Sequence, residues 1–253
     1  MKVTFLGTGT SQGIPVIACD CEVCTSADPK DNRLRTSVMI EAQEKVIVID
    51  TGPDFRQQML RHQVKHLDAV LFTHEHKDHV AGLDDVRAFN FRQKSKIDIY
   101  GTVEVHNALK REFHYAFSDF KYPGVPELNL VEIENKPFSI QGIEIDPVRV
   151  MHYKMPVFGF RIGNFSYITD AKTISAGEMN KLKGTEILVL NALRREDHIS
   201  HFTLAEALEV IQKINPVRAY LTHLSHLMGK HEVVREELPP NVDLAYDGLV
   251  LEI

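Results

Sequence analysis

The chain has 253 residues, of which 43 % are apolar, and a formal net charge of −6. That length suits a single domain over residues 1–253 with a sizeable core, and the acidic balance weighs against nucleic acid as a partner, whose binders carry an excess of Lys and Arg. No apolar run approaches the roughly 18 residues of a membrane span, and the strand-like opening is too short for a signal peptide, so a cytoplasmic location away from membranes is expected.

Residues 3–6 read as a strand that runs into the turn-rich loop Gly7-Thr8-Gly9-Thr10-Ser11. That loop lacks a G-K-[ST] sequence and reads as a tight turn rather than a phosphate cradle. Cys19, Cys21 and Cys24 follow as C-x-C-x2-C. Three cysteines packed this closely are a poor disulfide framework and a good metal half-site, one ligand short of a closed tetrahedral zinc site. Arg33 and Arg35 are either phosphate contacts or ordinary loop arginines. Residues 37–40 and 45–49 read as a hairpin turning at 41–44, and 55–62 has helical spacing. Asp50, at the end of the hairpin's second strand, either orients a neighbouring group or forms a turn.

Residues 69–73 form a short apolar strand that ends on Thr73-His74-Glu75-His76-Lys77-Asp78-His79. In an extended segment, residues two apart share a face, so His74 and His76 can converge on one ion. If a helix begins near Asp78, then Asp78 and His79 serve a second ion. Mixed imidazole and carboxylate donors suit borderline cations such as zinc. Residues 97–100 read as a strand, 102–113 as a helix and 121–126 as a Pro/Gly-broken loop. The aromatics Phe113, Tyr115, Phe117 and Tyr122 are core or a substrate wall.

In the second half, 132–133, 138–140, 143–149, 157–162, 165–169 and 187–190 read as strands. Residues 203–214 are a helix with one apolar stripe. Strands 219–222, 242–245 and 249–252 complete an α/β layer architecture. Several strands end on His or Asp, which is where α/β sheets build their sites. His152, Asp170 and His223 all follow strands in this way.

H-x-H-x-D-H followed by a His, an Asp and a His at later strand ends resembles the metallo-β-lactamase superfamily. The resemblance implies an αβ/βα four-layer sandwich of two mixed β-sheets with outer helices, and a dinuclear site at one edge. By that analogy His74, His76 and His152 hold one ion, Asp78, His79 and His223 the other, and Asp170 bridges them. The C-x-C-x2-C motif together with Thr222-His223-Leu224-Ser225-His226 resembles the subgroup of phosphoribosyl cyclic phosphate phosphodiesterases. That likeness implies a structural zinc on Cys19, Cys21, Cys24 and His226, two catalytic divalent ions with zinc and manganese both open, and a homodimer as one arrangement.

The same resemblance implies hydrolysis of a small cyclic or nucleotide-like phosphate ester. His201 is the expected general acid, His198 its alternative, and Asp78 belongs to the reaction centre as well as to the ligands. Three rival readings remain: a tRNA 3′-endonuclease, a lactonase or thioesterase on the same scaffold, and a non-catalytic accessory protein of cofactor biosynthesis.

Overall fold

The computed structural model describes residues 1–120 and 122–253; of the expected loop 121–126, Lys121 lies outside them. The first half supplies strands β1 (Lys2–Gly7), β2 (Ser37–Ala42), β3 (Lys45–Ile49), β4 (Ala69–Leu71), β5 (Ile97–Gly101) and β6 (Leu128–Glu132). Between them lie helices α1 (Phe55–Arg61), α2 (Lys77–Val80), α3 (Arg87–Gln93), α4 (Val103–Glu112) and α5 (His114–Phe117). The second half supplies β7 (Phe138–Ile140), β8 (Ile143–His152), β9 (Met155–Ile162), β10 (Phe165–Ile168), β11 (Thr173–Ile174), β12 (Ile187–Asn191), β13 (Arg218–Thr222) and β14 (Val242–Leu244), with β15 (Val250–Glu252) last. Its helices are α6 (Ala176–Lys181), α7 (Leu204–Ile214) and α8 (His231–Glu236).

The strands form two mixed sheets, ordered β15-β1-β2-β3-β4-β5-β6 and β11-β8-β9-β10-β12-β13-β14, with β7 added beside β8. The chain returns at its end to pair β15 antiparallel with β1, which places it back in the first sheet. One buried cluster joins the facing surfaces: Phe5, Ile40, Ile49 and Leu71 from the first sheet meet Phe160, Tyr167, Val189 and Tyr220 from the second. Separate clusters lie on the outer faces. Phe55, Phe89, Val105 and Leu109 pack helices on the first sheet, and Leu204, Ala207, Ile211 and Val234 pack helices on the second. Apolar residues on both faces of β4, β10 and β12 leave these strands fully buried, as strands covered on both sides must be. The expected four-layer αβ/βα sandwich is the architecture found.

Local chemistry explains several element boundaries. The β2–β3 hairpin turns at Gln43 and Glu44 alone, both with positive φ (49° and 62°), a two-residue turn whose twist suits a hairpin. Helix α4 is capped by the Thr102 hydroxyl and α7 by a capping box between Thr203 and Glu206, which fixes their starts. Strand β8 runs through His152, so this residue ends the strand instead of following it. Among the described residues no helix is long and apolar enough to cross a membrane.

Candidate metal centre

The C-terminal ends of β3, β4, β8, β10 and β13 open on the same edge of the sandwich, and each delivers a polar residue there. After β4, the segment to His76 stays extended, and α2 then turns the chain at Lys77–Val80. The change of geometry separates His74 and His76 from Asp78 and His79. A clamp from the β3 end holds this segment: Thr51 N donates to His79 O (2.7 Å), and Gly82 N donates to Thr51 O (2.8 Å). Gly52 is required here, because a Cβ on it would sit 2.2 Å from Asp78 O.

Asp50 fixes two imidazoles at once. His79 Nδ1 donates to Asp50 Oδ2 at 2.7 Å. The Thr73 hydroxyl also donates to Asp50 Oδ2 (2.8 Å), which leaves it to accept from His74 Nδ1 (3.0 Å). His152 Nδ1 donates to Ser200 O at 2.9 Å. All three rings therefore have Nδ1 held by a fixed acceptor and Nε2 turned away from it, the usual work of groups that back metal-bound histidines. Asp170 receives the Thr169 hydroxyl at 2.6 Å, and its loop is pinned by Asn191, which exchanges hydrogen bonds with Ala171 N and O (2.7 and 3.0 Å). The Gly7–Ser11 loop lies against the His223 turn, with Leu224 N donating to Thr8 O and Thr10 N to Leu224 O.

Asp50, Asp170 and His223 all sit at positive φ (64°, 57° and 56°). For residues other than glycine this conformation costs on the order of 1–3 kcal/mol, and it collects at functional sites. Here it aims the three side chains inward from the strand ends.

Asp170 lies at the centre. His79 Nε2 and His223 Nε2 are each 3.3 Å from it, and His201 Nδ1 is 3.8 Å away. His79 Nε2 is also 3.2 Å from Asp78 and His223 Nε2 is 3.8 Å from Asp78. The donor atoms of three sets lie mutually within 4.8 Å: His74, His79 and Asp170; Asp78, His79 and His223; His152, Asp170 and His201. His76 belongs to none of these sets. It is exposed, with its ring 4.6 Å from that of His74 and 5.2 Å from that of His152.

The donor set fits cations. His74 Nε2, His79 Nε2, His201 Nδ1 and both ring nitrogens of His223 are buried without a hydrogen-bond partner. Buried polar atoms are almost always satisfied, and these surround carboxylates that can only accept. Burial, reinforced by His79, holds His74 well below the ordinary imidazole range. Burial also pushes His201 down, with His223 adding to it, to about 3. His79 goes the other way: burial opposes its charge, but Asp170, Asp78 and Asp50 outweigh it and hold this imidazole well above the ordinary range.

A second cluster joins the N-terminal loop to the chain after β13. Cys19 Sγ and Cys21 Sγ each lie 3.3 Å from His226 Nδ1, and Cys24 Sγ lies 3.6 Å from it. All four donors fall within 4.8 Å of one another. The Cys24 backbone N–H, aided by His226, lowers the Cys21 thiol to about 6, while burial raises Cys24 to about 11. Four such donors match a tetrahedral Cys3His site.

The structure corrects the expectation for Arg33. Arg33 is neither a loop arginine nor a phosphate contact: it is buried, with its guanidinium on Thr8 Oγ1 (2.8 Å), Ala245 O and His231 Nδ1 (3.1 Å). Arg35 is tied to Asp54 and to Ser11 O. Asp170 caps no helix: the next one begins at Ala176 and is capped by Ser175. His198 is half-buried, with Nδ1 accepting from Ser200 N at 3.3 Å and its ring 5.1 Å from that of His201. Thr73, Thr169 and Asn191 were missed. A signal was available for two of them: a Thr precedes His74, Asp170 and His223 alike.

The family described as the beta-lactamase superfamily domain matches residues 45–224. An octanoyltransferase of Porphyromonas gingivalis is 41 % identical over 252 residues, which are 98 % of this chain and 51 % of that protein. The chain spans about half the length of these and other curated relatives it matches. The crystal structure of a new diphosphatase from the PhnP family superposes with a TM-score of 0.94 at 38 % identity, over 100 % of this chain and 97 % of that one. Zinc-bound PqqB from Methylobacterium extorquens shares the fold, with a TM-score of 0.81 at 18 % identity over all of both chains. From its two mixed sheets, its H-x-H-x-D-H strand end and the match over residues 45–224, the chain belongs to the beta-lactamase superfamily, in its metallo-β-lactamase fold.

Proposed function

We propose that this chain is a metal-dependent phosphoric diester hydrolase acting on a small cyclic or nucleotide-like phosphate ester. Two divalent ions, zinc or manganese, would be held by His74, His76, Asp78, His79, His152, Asp170 and His223. A structural zinc would be held by Cys19, Cys21, Cys24 and His226. The observation that carries this reading is the ring of buried, unpartnered imidazole nitrogens around Asp170. The likeness to a diphosphatase at 38 % identity supports the phosphate ester as substrate.

When bound, the ions would neutralise phosphoryl oxygens and acidify a water molecule. The chain's own residues do the rest. Asp50 and Thr73 keep the His74 and His79 rings in one tautomer and orientation. His201, buried beside Asp170, gives its proton to the departing alkoxide. Burial lowers its basicity, and the negative charge of a phosphate ester beside it would favour the protonated form. The convergence of His152, Asp170 and His201 favours a second reading, in which His201 is itself a ligand.

An octanoyl transfer activity would rest on one relative's name, half of whose length has no counterpart here. The three thiols of this chain gather round His226, away from the imidazole cluster.

The test is a screen of zinc- and manganese-loaded protein against cyclic phosphates, nucleotide 2′,3′-cyclic phosphates, a tRNA precursor, lactones and thioesters. Turnover confined to small phosphodiesters is expected. Full metal loading with turnover only of lactones or thioesters would refute the reading.

A further inference from the structure

Ring by ring, the imidazole cluster is held unevenly. Behind His74, His79 and His152 a fixed acceptor stands on Nδ1. His201 has none there: its Nδ1 is buried without a partner and lies 3.8 Å from Asp170 Oδ1, too far for a hydrogen bond. The ring packs on other imidazoles, 4.5 Å from that of His152 and 4.8 Å from that of His223. Where it sits is therefore decided by its backbone.

That backbone is fastened on one side. After His201, Phe202 N donates to Ala171 O (2.8 Å), Leu193 N to Phe202 O (2.9 Å) and Leu204 N to Arg194 O (2.9 Å). Before it the loop is bare: among the described residues, no backbone–backbone hydrogen bond involves 195–201. Side chains hold this stretch instead. Arg194 donates to Glu196 O and Asp197 O, which shapes the loop from within. Arg195 reaches Met228 O and Glu237, and His152 donates to Ser200 O. Lys172 makes the tie to the segment that carries Asp170. Its Nζ lies 2.9 Å from Asp197 Oδ1, and 2.9 and 3.0 Å from the two carboxylate oxygens of Glu206. Glu206 also accepts from Thr203 N (2.8 Å) in the capping box of α7. One ammonium, two residues from Asp170, thus grips the chain on both sides of His201. Its own backbone is fixed, because Lys172 N donates to Met151 O at 2.7 Å. The Lys172 side chain is only 19 % exposed, so the clamp is screened less than a surface pair.

We propose that Lys172 is a positioning residue: by clamping Asp197 and Glu206 it sets where the His201 ring stands relative to Asp170. The inference rests on the phosphodiesterase reading, with His201 as proton donor, for what that placement accomplishes. Lys172 itself touches no reacting atom. Without it the 195–201 stretch swings free of the Asp170 segment, and a misplacement of about 1 Å costs up to about 10² in rate.

Metal-saturated wild type, Lys172→Met, Lys172→Arg and Asp197→Asn test this. Asp197 is exposed, so Asp197→Asn removes one arm of the clamp in a folded protein even if Lys172→Met does not fold. A nucleoside 2′,3′-cyclic phosphate releases an alkoxide that needs a proton, whereas the leaving group of bis(p-nitrophenyl) phosphate needs little. Lys172→Met is expected to lose about tenfold or more on the first and under about threefold on the second, and Asp197→Asn a smaller part of the same pattern. Lys172→Arg keeps the charge and the reach and should recover most of the rate. In a His201→Ala background, Lys172→Met should cost less than about twofold, because the two residues act as one unit.

A second readout needs no turnover: the rate at which diethyl pyrocarbonate modifies His201, followed by mass spectrometry against the exposed His66. It should rise about fivefold in Lys172→Met and Asp197→Asn and return toward wild type in Lys172→Arg. If the faster modification appears but no ester is hydrolysed by any of the proteins, the clamp stands and the phosphodiesterase reading fails alone. An unchanged modification rate in both Lys172→Met and Asp197→Asn, equal losses on the two esters, or an undiminished loss in the His201→Ala background overturns the proposal.

Discussion

His201 and His198 precede helix α7 by three and six residues, yet their surroundings differ: His201 is buried against Asp170, and His198 is half-buried. If His201 is the proton donor, His201→Ala keeps its metals and loses about 10²–10⁴ in turnover on esters with poor leaving groups. On bis(p-nitrophenyl) phosphate, whose leaving group needs little protonation, the loss is much smaller. Loss of metal in this variant would make His201 a ligand, and equal losses on both substrates would make it a phosphate-binding group. Asp50→Asn keeps the backbone, because Asn tolerates positive φ, but puts an amide where His79 Nδ1 and Thr73 donate. Metal affinity should fall by about 10–100-fold, measured by competition with a chelator. An unchanged affinity would mean that the relay does not orient the ligands. The ligand residues themselves were legible because H-x-H-x-D-H compresses four donors into six positions. The role of Asp50 was left open because a lone Asp at a strand end also makes turns. The burial of Arg33 was invisible, because its acceptors Ala245 O and His231 lie about 200 positions away in the chain.

At the level of elements, the long periodic ones were readable: α4, α7 and the β2–β3 hairpin fall within a residue or two of expectation. Helix α1 was also read, and a helix near Asp78 was anticipated, but α3, α5, α6 and α8 were not; these are four to seven residues long, and so short a helix is set largely by tertiary packing. Helix α2 illustrates this: Thr51, just after β3, captures the carbonyl of His79 within the helix. The Cys19–Cys24 loop is held to the short turn at His226–Met228 by the four-donor cluster. Cys19→Ser or His226→Ala should therefore lower the melting temperature more than it alters chemistry. Each kcal/mol lost corresponds to about 2–4 °C in a domain of this size. A scan of metal-loaded protein reads the shift; an unchanged melting curve with activity abolished would place these residues in the reaction centre instead.

Across the whole molecule, the Arg33 network ties the N-terminal loop to the end of the second sheet. The guanidinium donates to His231 Nδ1, so that nitrogen cannot hold a proton. Burial, with Arg33 adding to it, holds His231 at about 4, below its ordinary 6.5. The unfolded chain then binds a proton that the folded chain refuses between these values. The His231 contribution to stability is thus complete above pH 6.5 and is lost as pH falls toward 4, amounting to roughly 1–3 kcal/mol. Denaturant midpoints at pH 7 and pH 5 for chelator-treated wild type and His231→Gln check this: the variant should lose part of the acid sensitivity, and an identical pH dependence would refute the assignment. The central claim concerns the neighbouring centre, where strand ends from both sheets converge on Asp170. Chelator-stripped protein titrated with zinc or manganese, with bound metal and hydrolysis of bis(p-nitrophenyl) phosphate followed together, tests it most directly. Activity should appear only as the imidazole cluster fills and level off with two ions bound there, in addition to one on the Cys3His cluster that Cys21→Ser removes. Hydrolysis that persists in stripped protein, or ions that bind only at the cysteines, would contradict it.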